Sequence, residues 1–592
     1  MRCFVAFAVL LILSAAVGSV AAESHPVMAA IDAAQSAGDL SAGQAALYKV
    51  LYITGAAEKI PAEFRNIEGG EMRCATPILM EIDRQMPNFP QDLRDAIMNA
   101  RSRPTVCPEY VDTAHFRIHY AITGTHMIYL WPNTTYLDGV TQACENSYAH
   151  YHGGVQHWDT PPSDASAGGG MGLIDCYVMD VGTGIYGYCE PEGSPSGGAP
   201  WDRTAFFVID HDYTGFGYTD RLDPAKVTIA HEYHHAVQFG YTAAGGSWWM
   251  ENTSTWQEDN VYDDINDNYS YLGCFFASPH LRLMDFNGCH EYGLFVWPEF
   301  MSLYYNDMDV VEEIWQRLKW DSSDELGEME NEFAERGSSL DDTFVKFGEW
   351  NYFTSVRDDG DHYTEGANYT QVAYTRSYSS YPQVGIHPQS VQMPDRLGTS
   401  YMRWIRDTGS SHNLLRVTLD GPETVAGFAV IAKEATGTES HVYPGIVDEF
   451  GDCVVEVPNW DQMVYAYSIV SIQNLSYDDQ DYAISVETDN QSTAVGESET
   501  RVVMTAKNAP NPFYPATTIH YTLSQPSDVR VRIVDASGRL IQTLVNRHEE
   551  AGRHEILWTG NNASGEAVRP GIYFYQVQTD REELSKKMLM LR

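Results

Sequence analysis

Apolar and polar positions change period several times along the 592-residue chain. At the start, Val5 to Val20 form an apolar run, preceded by Arg2 and closed by the small residues Ser19, Ala21 and Ala22. That is the profile of a secretory signal peptide over residues 1–22, too short and wrongly flanked for a stable membrane span. From Val27 to Pro104, Ala29, Ile31, Ala45, Leu47, Val50 and Leu51 fall on helical stripes. Pro61, Pro77, Pro87, Pro90 and Pro104 cut this stretch into short helices. Residues 23–105 are therefore expected as a helical region, either a propeptide or an integral cap.

The period then changes. His115 to Tyr120 alternate as a strand, Leu137 to Tyr151 read as a helix, and Asp175–Asp180, Tyr186–Tyr188 and Ala205–Tyr213 read as strands. A Gly/Ser/Pro-rich loop (Glu192 to Pro200) is expected before a helix from Ala225 to Phe239, where neither Pro nor Gly occurs. Helical spacing returns at Val311, Ile314, Trp315 and Leu318, and again at Phe344, Phe347 and Trp350. Beyond about Thr375 only strand signals remain. Leu414–Leu419 and Gly427–Ile431 suggest a β-sandwich over residues 376–495. Val529–Ile533 and Ile572–Tyr575, with a turn at Asp535–Arg539, suggest a further β module over 496–592.

Candidate chemistry lies in the uninterrupted helix, which contains His231-Glu232-Tyr233-His234-His235, an H-E-x-x-H pattern. Residues four apart share a helix face, so His231 and His235 can bind one zinc ion. Glu232 is placed to take a proton from the water that zinc activates. Such a site needs a third protein ligand. After a turn at Gly240 and Ala243–Gly246 comes Trp248-Trp249-Met250-Glu251, with Glu258 seven residues beyond Glu251.

This arrangement resembles the gluzincin metallopeptidases, in which a Trp-x-x-Glu helix supplies the third ligand and a later acid supports the site. The resemblance implies Glu251 as ligand, with Glu258 as the alternative. The strand segments before the helix, the Trp-x-x-Glu segment and Tyr292-Gly293 are similar to those of a family of secreted bacterial HExxH zinc metalloproteases, over about residues 25–350. It implies a zincin-like metallopeptidase domain at 106–375, whose mixed α/β half precedes a helical half, with the metal in the cleft between them. Tyr292, with His290 as a second candidate, would stabilise the oxyanion. The fold expected is multidomain α+β: that domain followed by two all-β domains, a β-sandwich and an Ig-like module. In the last module, Asn508-Ala509-Pro510-Asn511-Pro512-Phe513, Pro570-Gly571-Ile572-Tyr573 and Lys586-Lys587-Met588 resemble the sorting domains of type IX secretion substrates and the Ig-like domain of flagellar hook-capping proteins. The resemblance implies that the secretion machinery is a partner and that the protein is secreted or held at the cell surface.

Charge narrows the partners. With 37 basic and 81 acidic residues the formal net charge is −44, which repels nucleic acid and anionic membranes. Asp210 and Asp212, and the cluster Asp259, Asp263, Asp264 and Asp267, carry the oxygen ligands calcium favours, against the alternative of a solvated acidic surface. Besides Cys3, eight cysteines remain: Cys74, Cys107, Cys144, Cys176, Cys189, Cys274, Cys289 and Cys453. In an exported chain this even number is compatible with disulfides whose pairing the sequence leaves open, with Cys176–Cys189 and Cys274–Cys289 close enough to close small loops. Cys74, in Met72-Arg73-Cys74-Ala75-Thr76-Pro77, faintly resembles the inhibitory cysteine of some zymogens, but a disulfide is the expectation.

Together these features point to an exported zinc endopeptidase acting on protein or peptide substrates. Two alternatives stay open: a non-catalytic surface or adhesion protein on a peptidase scaffold, and a zinc hydrolase of a non-peptide substrate. The carboxylate of Glu232 speaks against the first, since zinc binding alone does not need it.

Overall fold

The computed structural model describes residues 25–67, 70–129, 135–164, 172–193, 199–321, 324–436, 439–448, 451–474, 478–490, 505–509, 513–523, 526–535, 538–549, 552–579 and 583–591. The signal-peptide segment and Cys3 lie outside them, as do parts of the 192–200 loop, of the Asn508–Phe513 segment and of the 535–539 turn. The chain divides into two compact units: the first holds the described residues up to Pro279, then Leu283–Thr343 and Trp350–Ala373, and the second holds the rest.

In the first unit the N-terminal helices are α1 (Pro26–Ala37), α2 (Ala42–Ile53) and the short α3 (Ala62–Arg65). Local signals set their ends. Pro26 opens α1 and Gly38, in the left-handed region at φ 84°, closes it; Ser41 and Gln44 form a reciprocal capping box on α2. The region expected to be helical also contributes a strand, β1 (Met72–Cys74), before α4 (Thr76–Gln85) and α5 (Gln91–Ala100).

There follow β2 (Glu109–Asp112), β3 (Phe116–Tyr120), α6 (Thr135–His152), β4 (Ile174–Met179), β5 (Ile185–Glu192) and β6 (Thr204–Asp210). They form one six-stranded sheet of order β1-β5-β6-β4-β3-β2. β3, β4 and β6 run parallel, β5 runs against β6 and β2 against β3, and β1 lies parallel to β5 on the outer edge. Strand alternation splits the apolar residues between two faces. Phe206 and Val208 join Val27, Ile31, Val50, Leu79 and Ile97 in one core beneath the N-terminal helices. Phe207 and Phe116 face the other way, against Tyr233 of α7 (Leu222–Tyr241), with ring centroids 6.2 and 4.9 Å away.

The rest of the unit is helical: α8 (Ser247–Val261), α9 (Leu272–Phe276), α10 (His290–Gly293), α11 (Val296–Tyr304), α12 (Val310–Leu318) and α13 (Glu325–Glu335). α8 is buried from Trp248 to Glu258 although seven of those eleven residues are polar. Hydroxyls turn back onto the helix, Thr253 to the Trp249 carbonyl at 2.7 Å and Thr255 to that of Glu251 at 2.9 Å. The Trp249 ring stacks on Trp315 of α12 at 6.2 Å.

The second unit is β-rich. β7 (Arg376–Tyr378), β8 (Gln383–Ile386), β9 (Thr399–Ile405), β10 (Leu414–Asp420), β11 (Val425–Glu434), β12 (Ser440–Gly445), β13 (Cys453–Pro458), β14 (Met463–Ile472) and β15 (Ala483–Asp489) form two sheets, β13-β10-β15-β8 and β12-β11-β14-β9-β7. Trp404, Val417, Val430, Trp460 and Val470 are in their shared core. β16 (Thr505–Ala509), β17 (Thr517–Leu523), β18 (Ser527–Asp535), β19 (Leu540–Glu549), β20 (Gly552–Trp558), β21 (Gly571–Gln578) and β22 (Glu583–Met590) make the sheets β16-β17-β20 and β19-β18-β21-β22. These enclose a separate core with Phe513, Ile519, Val531, Trp558 and Tyr575. Among the described residues no helix is long and apolar enough to cross a membrane.

Because the N-terminal helices supply one side of the sheet's core, a cavity there should weaken the whole first unit. Leu79, fully buried in α4, tests this. Leu79→Ala is expected to cost about 2–5 kcal/mol, read as a lower urea midpoint by tryptophan fluorescence. A loss below about 1 kcal/mol would show that the helices are not part of the cooperative core.

Candidate metal centre

One turn of α7 separates His231 from His235, whose ring centroids lie 4.7 Å apart. Each imidazole is held by its Nδ1–H. His231 donates to Glu258 Oε1 at 2.7 Å, and His235 to Gln238 Oε1 at 2.7 Å. Both Nε2 atoms are thereby turned to a common point, the tautomer and orientation a metal ligand needs. His234 is turned away, with its Nδ1 3.0 Å from Ser254 Oγ and its ring edge-on to Trp158 at 4.6 Å. Burial, with the neighbouring imidazoles, holds it neutral.

Glu251 of α8 faces the same point. Its Oε1 lies 3.1 Å from His235 Nε2 and its Oε2 3.3 Å from His231 Nε2. A fourth donor completes the group: Cys74 Sγ, 3.3 Å from His235 Nε2. The four donor atoms all fall within 4.8 Å of one another, and none of the four residues is more than 2 % exposed. Both Glu251 oxygens and His231 Nε2 are buried without a hydrogen-bond partner. A four-coordinate ion with bonds of about 2.0–2.3 Å sets its ligands about 3.3–3.8 Å apart along the tetrahedron's edges. Buried polar atoms that approach to such distances without hydrogen-bonding geometry are what ligands around a shared centre show.

The electrostatics agree. Burial disfavours charge on His231, but Glu251 and Glu258 outweigh it and push its pKa up to about 10. Burial also disfavours charge on Glu251, yet His235 and His231 bring it down to about 2. The cluster is thus built to hold positive charge between its carboxylates.

Glu232 points to the same space. Its Oε2 accepts from Thr76 Oγ1 at 3.3 Å and from Cys74 Sγ at 3.5 Å, while Oε1 has no partner. Burial raises its pKa. β5 can approach this helix only because residue 187 is glycine: a Cβ there would lie 2.9 Å from Thr228 Cγ2 and 3.1 Å from Glu232 Cγ. Behind His231, Glu258 is clamped by the buried Arg73 guanidinium, which also pairs with Asp267 and lies over the Tyr186 ring at 4.7 Å. Tyr292 stands 6.4 Å from the His231 ring, and burial, Glu251 and Cys74 keep its hydroxyl protonated. His290 instead packs its ring against Phe275 at 5.8 Å.

Several expectations change here. Cys74 is not in a disulfide; it is a free buried thiol among the candidate metal donors. Sequence spacing could not link it to residues more than 150 positions away, and only the faint zymogen-like context of Met72–Pro77 hinted at it. The Cys176–Cys189 bridge that the sequence allows does not form, and both thiols are free. Both residues lie beside Phe207, one on each side of β6. They stand two strand spacings apart, about 9.5 Å, beyond the reach of a disulfide. Cys274–Cys289 does form. Of the calcium candidates, Asp267 pairs with Arg73 and Asp212 with Arg221 at 3.3 Å. Asp264 is exposed. Asp210 groups instead with Asp180 and His211, and Asp259 and Asp263 with Glu365.

Comparison with known proteins informs mainly the C-terminal module. No curated protein matches the chain. Among solved structures, PorZ, a surface component of the type-IX secretion system of Porphyromonas gingivalis, aligns at 15 % identity over 27 % of this chain and 22 % of its own, with a TM-score of 0.12. Latent PorU from the same organism aligns at 13 % over 38 % and 19 %, with a TM-score of 0.16. A β-1,2-glucanase from Parabacteroides distasonis aligns at 12 % over 31 % and 28 %, with a TM-score of 0.12. The chain thus spans about a fifth of the length of the first two, and TM-scores this low define no shared fold. Residues 515–583, in the last β module, match the FlgD Ig-like domain.

Proposed function

We propose that the chain is a secreted zinc endopeptidase with a zincin-like catalytic domain in its first unit. The observation that carries this reading is the set of buried, edge-spaced donors on His231, His235 and Glu251, those of His231 and Glu251 without a hydrogen-bond partner among the described residues, beside the buried carboxylate of Glu232. Nitrogen, oxygen and sulfur donors in a four-coordinate arrangement suit zinc. When bound, zinc supplies Lewis acidity, polarising the scissile carbonyl and lowering the pKa of a water. The protein's own groups do the rest. Glu232, with its pKa raised by burial, accepts a proton from that water and passes it to the leaving amine. Tyr292, a protonated buried hydroxyl close to Glu251 and Cys74, can donate to the oxygen that gains charge. A metal held only for structure would need neither group, which disfavours a non-catalytic scaffold. The FlgD-like module, with its own core, is assigned to sorting or surface attachment through a secretion machinery.

Three outcomes test the proposal. Glu232→Gln should retain about one zinc per chain and lose about 10²–10⁴-fold in kcat on a casein-derived peptide; cleavage near the wild-type rate would remove Glu232 as the base. Zinc titration should separate the two carboxylates of α8. Glu251→Ala should abolish tight binding, whereas Glu258→Gln should weaken it only about 10–100-fold, the size of effect expected for a group that orients a ligand. The reverse ranking would exchange their roles. Deletion of residues 496–592 should leave the rate on soluble peptides unchanged and abolish export or surface retention in the native host. Normal localisation of the truncated chain would refute the sorting role.

A further inference from the structure

The four-donor group has a consequence for how the site is opened. A catalytic metal centre has three protein ligands and an open position, while a centre with four is closed. Here His231, His235 and Glu251 come from the two helices that build the site, and the fourth donor, Cys74, comes from an edge strand of the N-terminal region. We infer that Cys74 is a removable fourth ligand of the same metal, so that the chain as folded is latent and becomes active when the Cys74 segment withdraws. This inference rests on the zinc-peptidase reading proposed above.

The segment holds the site at two depths. Cys74 Sγ reaches the donor cluster, 3.3 Å from His235 Nε2, and lies 3.5 Å from Glu232 Oε2, in the space between ligand and base. The adjacent Arg73 binds Glu258, which in turn orients His231. Withdrawal would therefore change both the coordination and the support behind it. The sulfur leaves as a thiolate and takes a proton from solvent, and its position passes to water.

The strand that carries Cys74 is short and paired on one side only. β1 has three residues, lies outermost in the sheet, and meets β5 through the pairs Met72–Ile185 and Cys74–Gly187. By contrast, α1, α2, α4 and α5 bury Ile31, Val50, Leu79 and Ile97 in the sheet's core, so loss of the entire region would expose a large apolar face. Opening is accordingly local. It would also free the β5 edge beside Glu232, and an exposed strand edge next to a metal is where an extended peptide can add by backbone hydrogen bonds. Before opening, β1 takes the place of that peptide.

The test uses the full chain loaded with cobalt(II) in place of zinc, because a thiolate ligand gives cobalt an intense near-ultraviolet charge-transfer band. The wild type is expected to show the band and Cys74→Ala to lose it while retaining one metal; Cys74→Ser replaces the alanine variant if that one does not fold. In the zinc forms, Cys74→Ala, or wild type treated with an organomercurial, is expected to cleave peptide at least about tenfold faster than untreated wild type, since the open position is restored. A wild-type protein without the band, or a band that persists in Cys74→Ala, overturns the ligand assignment. A wild-type chain as active as Cys74→Ala overturns latency and leaves the peptidase reading intact. A band lost on substitution, with no peptide cleaved by any form, supports the ligand and overturns the peptidase reading.

Discussion

The first unit depends on keeping buried charge compensated. Glu251, Glu258, His231, His235 and Arg73 are all at most 3 % exposed, and an isolated charge at such depth costs several kcal/mol. Their arrangement alternates sign outward from the centre: Glu251 against the imidazoles, His231 against Glu258, Glu258 against Arg73, Arg73 against Asp267. Each group is tolerable only because the next is in place. The two helices, the edge strand and the 267 turn are thereby locked in one relative position, and the donor atoms inherit that precision.

This chain of charge also accounts for the polar character of α8. A helix with Glu, Asn, Thr, Ser and Gln on buried faces would be unstable against a purely apolar surface. α7 supplies the matching partners: Gln238 alone donates to the Met250 carbonyl at 3.1 Å and to Thr253 Oγ1 at 2.9 Å while its own oxygen holds His235. The tryptophans at the start of α8 provide the apolar anchorage. Polar residues set the register between α7 and α8, and Trp249 anchors α8 against Trp315 of α12.

Much of this was legible in the sequence, for reasons of range. The H-E-x-x-H pattern and the turn to Trp-x-x-Glu are local, so helical geometry alone aligns His231 with His235 and places Glu251 in the next helix. Strand alternation around Phe116, Tyr177 and Phe207 likewise depends on adjacent residues, and the tight turns of the last β modules carry their own Gly, Asn and Asp signals. What could not be read was contact across long separations. The sheet order that sets β1 beside β5, the Arg73–Glu258 pair, and Cys74 among the donors each join positions that no periodicity relates. The misplaced Cys176–Cys189 bridge has the same origin: nearness in sequence suggested a loop, but β6 inserts between the two strands.

The sheet edge explains why a cysteine, rather than another carboxylate, suits the fourth position. A thiolate binds a borderline-soft ion strongly yet loses affinity once it can be protonated or capped, so its hold is reversible by chemistry as well as by movement. Carried on a central strand it would be a permanent structural ligand. Carried on a three-residue edge strand, as proposed, it would be tied only by the short pairing with β5 and by the Arg73 pair, and the neighbouring helix α4 would stay anchored when it leaves. The same topology makes β5, which approaches Glu232 at Gly187, the strand edge that withdrawal of β1 would expose. On the proposed fourth-ligand role, withdrawal of β1 would release the sulfur and expose the β5 edge together, so that neither would be relieved without the other.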